Sequence, residues 1–237
     1  MLDQIRYKGT VITQKGTYHF RRAAVPDIMP LARLYRACAV RRGNCFWRLS
    51  PGNPEAFDKI GGMYLIMGES DIEREIFDPH TLWAVLEDEN GRTVGSFWFA
   101  DYNEYLLPRF YKEGAAYPRE IVVDPRYGGR HIGALLYCTV FQSLVDGGYK
   151  QSICDVYETV AFEALGRRIE VGLLNKPSYI NMLMLGGIYE GKAPVRRIDL
   201  EGLRVWVVPH VFSFCHSRTL AIGEELKREH RIQIERT

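Results

Sequence analysis

The stretch from Glu120 to Tyr137, Glu-Ile-Val-Val-Asp-Pro-Arg-Tyr-Gly-Gly-Arg-His-Ile-Gly-Ala-Leu-Leu-Tyr, holds the residue types and spacing best suited to chemistry. Glu120 to Val123 is short, β-branched and followed closely by a proline, whereas from Ile132 onward apolar residues recur at helical spacing. A strand, a glycine turn and a helix therefore follow one another without a gap. Such a junction turns unpaired N–H groups and the positive end of the helix dipole toward the turn, which suits a phosphate. Arg126 and Arg130 add positive charge there. Glu120 stands at the start of the strand, where a solvated strand-end carboxylate is one reading, and His131 either caps the helix or meets phosphate.

Other chemistries find less support. His210 and His216 flank an aromatic run without the neighbouring carboxylates of a metal site, so no metal is expected. The chain contains no Gly-x-Ser-x-Gly turn for a nucleophilic serine. Its five cysteines, Cys38, Cys45, Cys138, Cys154 and Cys215, form no Cys-x-x-Cys pair and read as free buried thiols of a cytoplasmic protein. With 31 basic and 29 acidic residues the net charge is only +2, which gives no electrostatic case for nucleic acid or an anionic membrane. The uncharged run Ile132 to Val145 is too short to span a bilayer, and the first 18 residues lack the apolar segment of a signal peptide.

The elements that must position this stretch read as α/β. A strand over Thr17 to Ala24 leads through Pro26 into a helix carrying Ile28, Leu31, Leu34, Tyr35 and Cys38 on one side. Residues 41–62 form a turn-rich segment with Phe46, Trp47 and Phe57 embedded, and a short helix is expected over Ser70 to Phe77. Leu82 to Glu87 and Thr93 to Ala100 read as a hairpin closed at Asn90-Gly91. An aromatic connection, Asp101 to Pro118, precedes the central stretch, whose helix should be buried and end at Gly147-Gly148. Gln151 to Glu158 is a strand. Residues 159–171 stay ambiguous, with a helical patch at Ala161 to Leu165. Asn175-Lys-Pro-Ser178 starts a helix with an amide cap and an early proline, ending at Gly186-Gly187. A hairpin over Val195 to Leu200 and Leu203 to Val208 follows, then a charged helix over Leu220 to Arg231. The expected sheet is mostly antiparallel with one parallel step. One domain is expected, with a core over about 17–210 and a helical extension beyond it.

At this point three segments resemble the GNAT acyltransferase superfamily, N-acetyltransferases that carry an acyl group from coenzyme A. The resemblance covers roughly Phe20 to Val208. Val123 to Leu136 is similar to the family's strand, pyrophosphate loop and helix, with Gly133 at its second signature glycine. Asn175, Ser178 and Gly186 occupy typical positions of its late helix, and Phe20 to Ile28 looks like its first strand entering its first helix. Three positions depart from the pattern. Gly128 stands where the family has arginine or glutamine, His131 where it has the first signature glycine, and Met182 where a tyrosine commonly protonates the leaving thiolate.

The resemblance implies an acyl-CoA-dependent N-acyltransferase with acetyl-CoA or another acyl-CoA as co-substrate. Acyl-CoA would lie where the Glu120 to Val123 strand diverges from the Gln151 to Glu158 strand. Main-chain groups of Val122 and Val123 would bind its pantetheine, Gly128, Gly129, Arg130, His131, Ile132 and Gly133 its pyrophosphate, and Asn175 and Ser178 would complete the site. Glu120 is the first candidate for the base that frees the amine nucleophile, ahead of Glu158 and Tyr157. Tyr179, three residues before Met182 on nearly the same helix side, is the candidate acid or a packing tyrosine. The acceptor is a small-molecule amine or a peptide or protein amine, and a homodimer is open. Two alternatives stand beside this reading: a non-catalytic acyl-CoA-binding or regulatory domain, and a transferase for long-chain donors accommodated by the aromatic connection.

Overall fold

The computed structural model describes residues 2, 5–41, 68–101, 108–128, 130, 132–164, 166–200 and 203–237. The aromatic residues of 41–62, together with Tyr102 and Tyr105 of the connection, lie outside them. The described residues form eleven strands and five α-helices: β1 (Lys8–Thr13), β2 (Gly16–Arg22), α1 (Ile28–Arg41), α2 (Glu69–Phe77), β3 (Thr81–Asp88), β4 (Thr93–Asp101), β5 (Ala116–Val123), α3 (Ile132–Asp146), β6 (Gln151–Ala164), β7 (Arg167–Leu174), α4 (Lys176–Met184), β8 (Ile188–Lys192), β9 (Arg196–Leu200), β10 (Leu203–Cys215), α5 (His216–His230) and β11 (Gln233–Arg236). The strands form one sheet in the order β11-β1-β2-β3-β4-β5-β6-β10-β8, with β7 on β6 and β9 on β10. Every pairing is antiparallel except β5 with β6, which is parallel and holds at the single pair Ala116↔Ser152.

Local chemistry sets the main boundaries. Asp27 receives Ala24 N–H at 2.8 Å and is gripped by both terminal nitrogens of Arg21 at 2.7 and 2.8 Å, which fixes the entry into α1. The β3–β4 hairpin closes through Gly91 at φ +71°, a conformation that glycine adopts without a Cβ clash, while Asp88 accepts from Asn90 and Arg92 N–H. Helix α3 is buried on most sides, with Leu135, Leu136, Val140 and Leu144 fully covered. It packs with α4 and α5 against one sheet face, whereas α1 and α2 cover Trp83, Val85, Trp98 and Val122 on the other.

Two expectations need correction. The described part of the helical patch, 161–164, is extended instead: β6 continues to Ala164 and pairs with β10 through Arg204↔Glu163, and β7 returns along its other edge. Sheet pairing on both sides overrides the helix preference of Ala-Phe-Glu-Ala. Nor does the chain leave the sheet at residue 210. β10 runs on to Cys215, α5 buries Leu220 and Leu226 against the main core, and β11 pairs with β1 at Gly9↔Arg236 to Ile12↔Gln233. Among the described residues no helix is long and apolar enough to cross a membrane, and no three His, Cys, Asp or Glu side chains converge as a metal site. Cys38, Cys138 and Cys154 are buried as expected, while Cys215 is exposed.

Candidate active site

The site is built where the sheet opens. After the one parallel pair, β5 stays on β4 but parts from β6, and only from Glu158↔Leu174 onward is the vacated edge of β6 taken by β7. Residues 117–123 of β5 and 153–157 of β6 thus border a gap with no strand between them among the described residues. Strand alternation tells which peptide groups line it. Asp124 N–H donates to Val94 O at 2.8 Å, so every second residue back from Asp124 bonds to β4 and those between turn away. Val122 accordingly faces β4, which corrects its expected place as a main-chain ligand, and Ile121 and Val123 face the gap. The carbonyl of Val123 receives the Cys38 thiol at 3.1 Å, and its N–H stays on the gap side.

The turn after β5 is held from within. Asp124 accepts Arg126 N–H and pairs with the Arg126 guanidinium; although burial pushes its carboxyl up, these bonds bring it below the usual carboxylate range. Arg126 is therefore committed to Asp124, whereas Arg130 lies over the Tyr127 ring at 4.8 Å from its centre. Gly128 N–H reaches Pro125 O at 3.3 Å. Gly129 and His131 lie outside the described residues. Ile132 is buried and sits against Gly95, so its side chain anchors the helix start. Among the described residues, a Cβ at Gly133 in the first turn of α3 would meet nothing within 4 Å.

Glu120 stands at a β-bulge. Trp98 pairs with Glu120 and Phe99 with Pro118, leaving Arg119 as the extra residue, and the bulge turns Glu120 toward Tyr35 of α1 and Trp98 of β4. Burial pushes the half-buried Glu120 carboxyl up to about 8, against the opposing pull of Arg119, Trp98 and Tyr35. Tyr35 Oη and Trp98 Nε1, in residues only 1% and 3% exposed, make no geometrically complete hydrogen bond. Beside them Tyr117 donates to Asp155 at 2.8 Å and Arg196 pairs with Asp155 at 3.1 Å. Burial raises the Asp155 carboxyl in spite of Arg196 and Tyr117.

No protein-family model matches the sequence, and no curated protein matches it significantly. Solved structures do resemble the architecture. An N-acetyltransferase from Staphylococcus aureus Mu50 superposes with a TM-score of 0.51 at 14% identity, covering 84% of this chain and 98% of that one. A GNAT-family acetyltransferase from Listeria monocytogenes gives 0.53 at 12% identity over 84% and 98%. Mycobacterium smegmatis RimJ, solved in complex with CoA-disulfide, gives 0.55 at 13% identity over 93% and 96%. The chain has the GNAT acetyltransferase fold.

Within this fold the late helix does not bring an acid to Glu120. Asn175 caps α4 through its side chain, which accepts Ser178 N–H at 3.3 Å, and its own N–H reaches Tyr157 O at 3.1 Å. The β6–β7 excursion therefore returns the chain to the place it left. Met182 is 7% exposed and packed among core groups, with Cys154 Sγ at 3.4 Å and Tyr137 Oη at 3.9 Å. Tyr179 packs in a ring cluster with Tyr189, His210 and Phe212, on the sheet face opposite Tyr35 and Trp98. Its surroundings are those of a packing tyrosine. Glu158 is engaged by His210 at 2.8 Å and Lys192 at 2.9 Å, bonds that hold its carboxyl below the usual range. Tyr157 is raised by burial, with Asp155 adding to the shift. His216 is a structural group bonded to Ser152 and the Tyr149 carbonyl.

Sequence reasoning missed Tyr35, Trp98 and Arg119 as neighbours of Glu120, and the group in which Tyr117 and Arg196 engage Asp155. One signal was available: Asp155 lies within an apolar strand, and a carboxylate at such a position needs partners.

Proposed function

We infer that this protein transfers an acyl group from a coenzyme A thioester directly to the nitrogen of an amine. The observation that carries the reading is the position of Glu120: a half-buried carboxyl on β5, the strand that borders the gap, turned by the bulge toward Tyr35 and Trp98, where burial pushes it up to about 8. A carboxylate of that basicity is suited to accept a proton near neutral pH. The amine lone pair forms the new C–N bond at the thioester carbonyl, the ammonium proton passes to Glu120 directly or through one water, and the C–S bond breaks. Val123 N–H, on the gap side, is the donor suited to the developing oxyanion. Because Met182 is packed in the core and Tyr179 in a ring cluster, the leaving thiolate takes its proton from solvent.

The first turn of α3 supports phosphate binding by main-chain N–H groups near Gly133 and the Arg130 charge. Ile121 and Val123 replace the Val122–Val123 pair as the peptide groups for pantetheine. Asn175 acts through its cap, holding α4 beside the gap.

A second reading, a non-catalytic acyl-CoA-binding domain, is favoured by one specific observation: the position where a tyrosine acid is common is filled by a buried methionine. Mixing the protein with acetyl-CoA and a panel of amines and following free thiol distinguishes the two. Amine-dependent thiol release is the expected result; acetyl-CoA binding without release for any acceptor supports the second reading.

A further inference from the structure

The side chains that surround Glu120 also bear on which amine is taken. Arg119, the extra residue of the bulge, is exposed, and its guanidinium carbon sits 4.2 Å from the centre of the Trp98 ring. Trp98 is in turn stacked on Trp83 at 5.1 Å with 10° between planes, and Trp83 is pinned through its N–H to Ser96 at 2.6 Å. The stack gives the guanidinium a fixed platform while leaving its N–H edge available.

The charges around it are unequal. Arg196 is matched by Asp155 at 3.1 Å. Arg119 has no carboxylate within ion-pair distance among the described residues, although both Glu120 and Asp155 are near enough to feel its charge. Arg119 therefore presents an exposed, stacked guanidinium beside the proposed base, with no ion pair of its own among the described residues. A planar guanidinium recognises carboxylate and phosphate oxygens through paired N–H donors, and it repels a second ammonium.

We propose that the acceptor is an amine that also bears an anionic oxygen group, and that the Trp98-stacked guanidinium of Arg119 binds that group. This rests on the acyl-transfer reading above. It separates the protein from acceptors of the polyamine kind, which would place a further cation against Arg119.

The test compares kcat/KM, by thiol release from acetyl-CoA, for amino acids, their amides, O-phosphoethanolamine and linear diamines. The expected order places carboxylate or phosphate acceptors about tenfold or more above the amides, the worth of one charge-assisted contact, with diamines lowest. Amino acids ahead of O-phosphoethanolamine assign the anion as a carboxylate, and the reverse order assigns a phosphate. In Arg119→Ala the preference for the acid over its amide falls to about one, and Arg119→Lys restores part of it. Diamines or amides equal to the anionic acceptors overturn the proposal while leaving acyl transfer standing, as does an unchanged preference in Arg119→Ala. Absence of thiol release with every amine overturns both.

Discussion

The two faces of the sheet, where it opens, treat their polar groups in opposite ways. On the α4 side the polar groups that border the gap are engaged or packed: Glu158 with His210 and Lys192, Met182 between Cys154 and Tyr137, Tyr179 among three rings. On the α1 side Tyr117 and Arg196 hold Asp155, but among the described residues two buried donors beside Glu120 lack complete hydrogen bonds, a carboxyl is held above its ordinary range, and a guanidinium is stacked with no ion pair. Buried polar groups are normally satisfied, so groups left unmatched at a gap are matched by something that enters it. On the proposed reading the chemistry lies on the α1 side, and the α4 side serves as scaffolding.

Substitutions can break that contrast, and the largest effect is expected at Glu120. Glu120→Gln keeps the side-chain volume and removes the base; kcat/KM should fall by roughly 10² to 10⁴, with acetyl-CoA affinity by calorimetry little changed. Next is Gly133→Trp, which adds bulk at the first turn of α3. Its expected outcome is a coenzyme A Kd weakened by about tenfold or more, ~1.4 kcal/mol, measured by the same titration. An unchanged Kd would remove the turn from the binding site. Tyr35→Phe deletes one of the donors that favour the charged form of Glu120, and about 1 kcal/mol, roughly fivefold in rate, is expected to be lost. Smallest is Tyr179→Phe on the opposite face, which should leave kcat within roughly twofold; a loss as large as that at Glu120 would restore Tyr179 as the acid.

The two faces also differ in how stability depends on pH. Glu120 is raised from 4.5 to about 8, so the folded state binds its proton more tightly than the unfolded state does; the resulting stabilisation is complete at low pH and declines as pH rises between those values. Glu158 is lowered, so its contribution is present above the ordinary carboxylate range and is lost as pH falls through its folded value. Melting temperatures across pH should therefore decline less steeply toward pH 8 in Glu120→Gln, and less steeply toward acid in Glu158→Gln.

The strand, turn and helix around residues 120–146 were legible because their periodicity changes within a few residues, and the Asn175 cap was legible from its own side chain. What escaped the sequence depends on long-range pairing. β11 becomes a strand only by meeting β1 across more than two hundred residues, as Gly9↔Arg236 shows. The 161–164 patch looks helical until β10 and β7 claim both its edges. Whether Ile121 or Val122 turns to the gap is a question of parity, fixed by one bond between Asp124 and Val94. Glu120 was found as a carboxylate at a strand start, yet its basicity comes from burial beside Tyr35 and Trp98, which are distant in the chain.

The most direct measurement of the central claim is the pH dependence of kcat/KM for amine-dependent thiol release, in the wild type and in Glu120→Gln. The account predicts a rising limb with a midpoint near pH 8 that is present in the wild type and absent in the variant. A limb of the same midpoint and height in both proteins would contradict it.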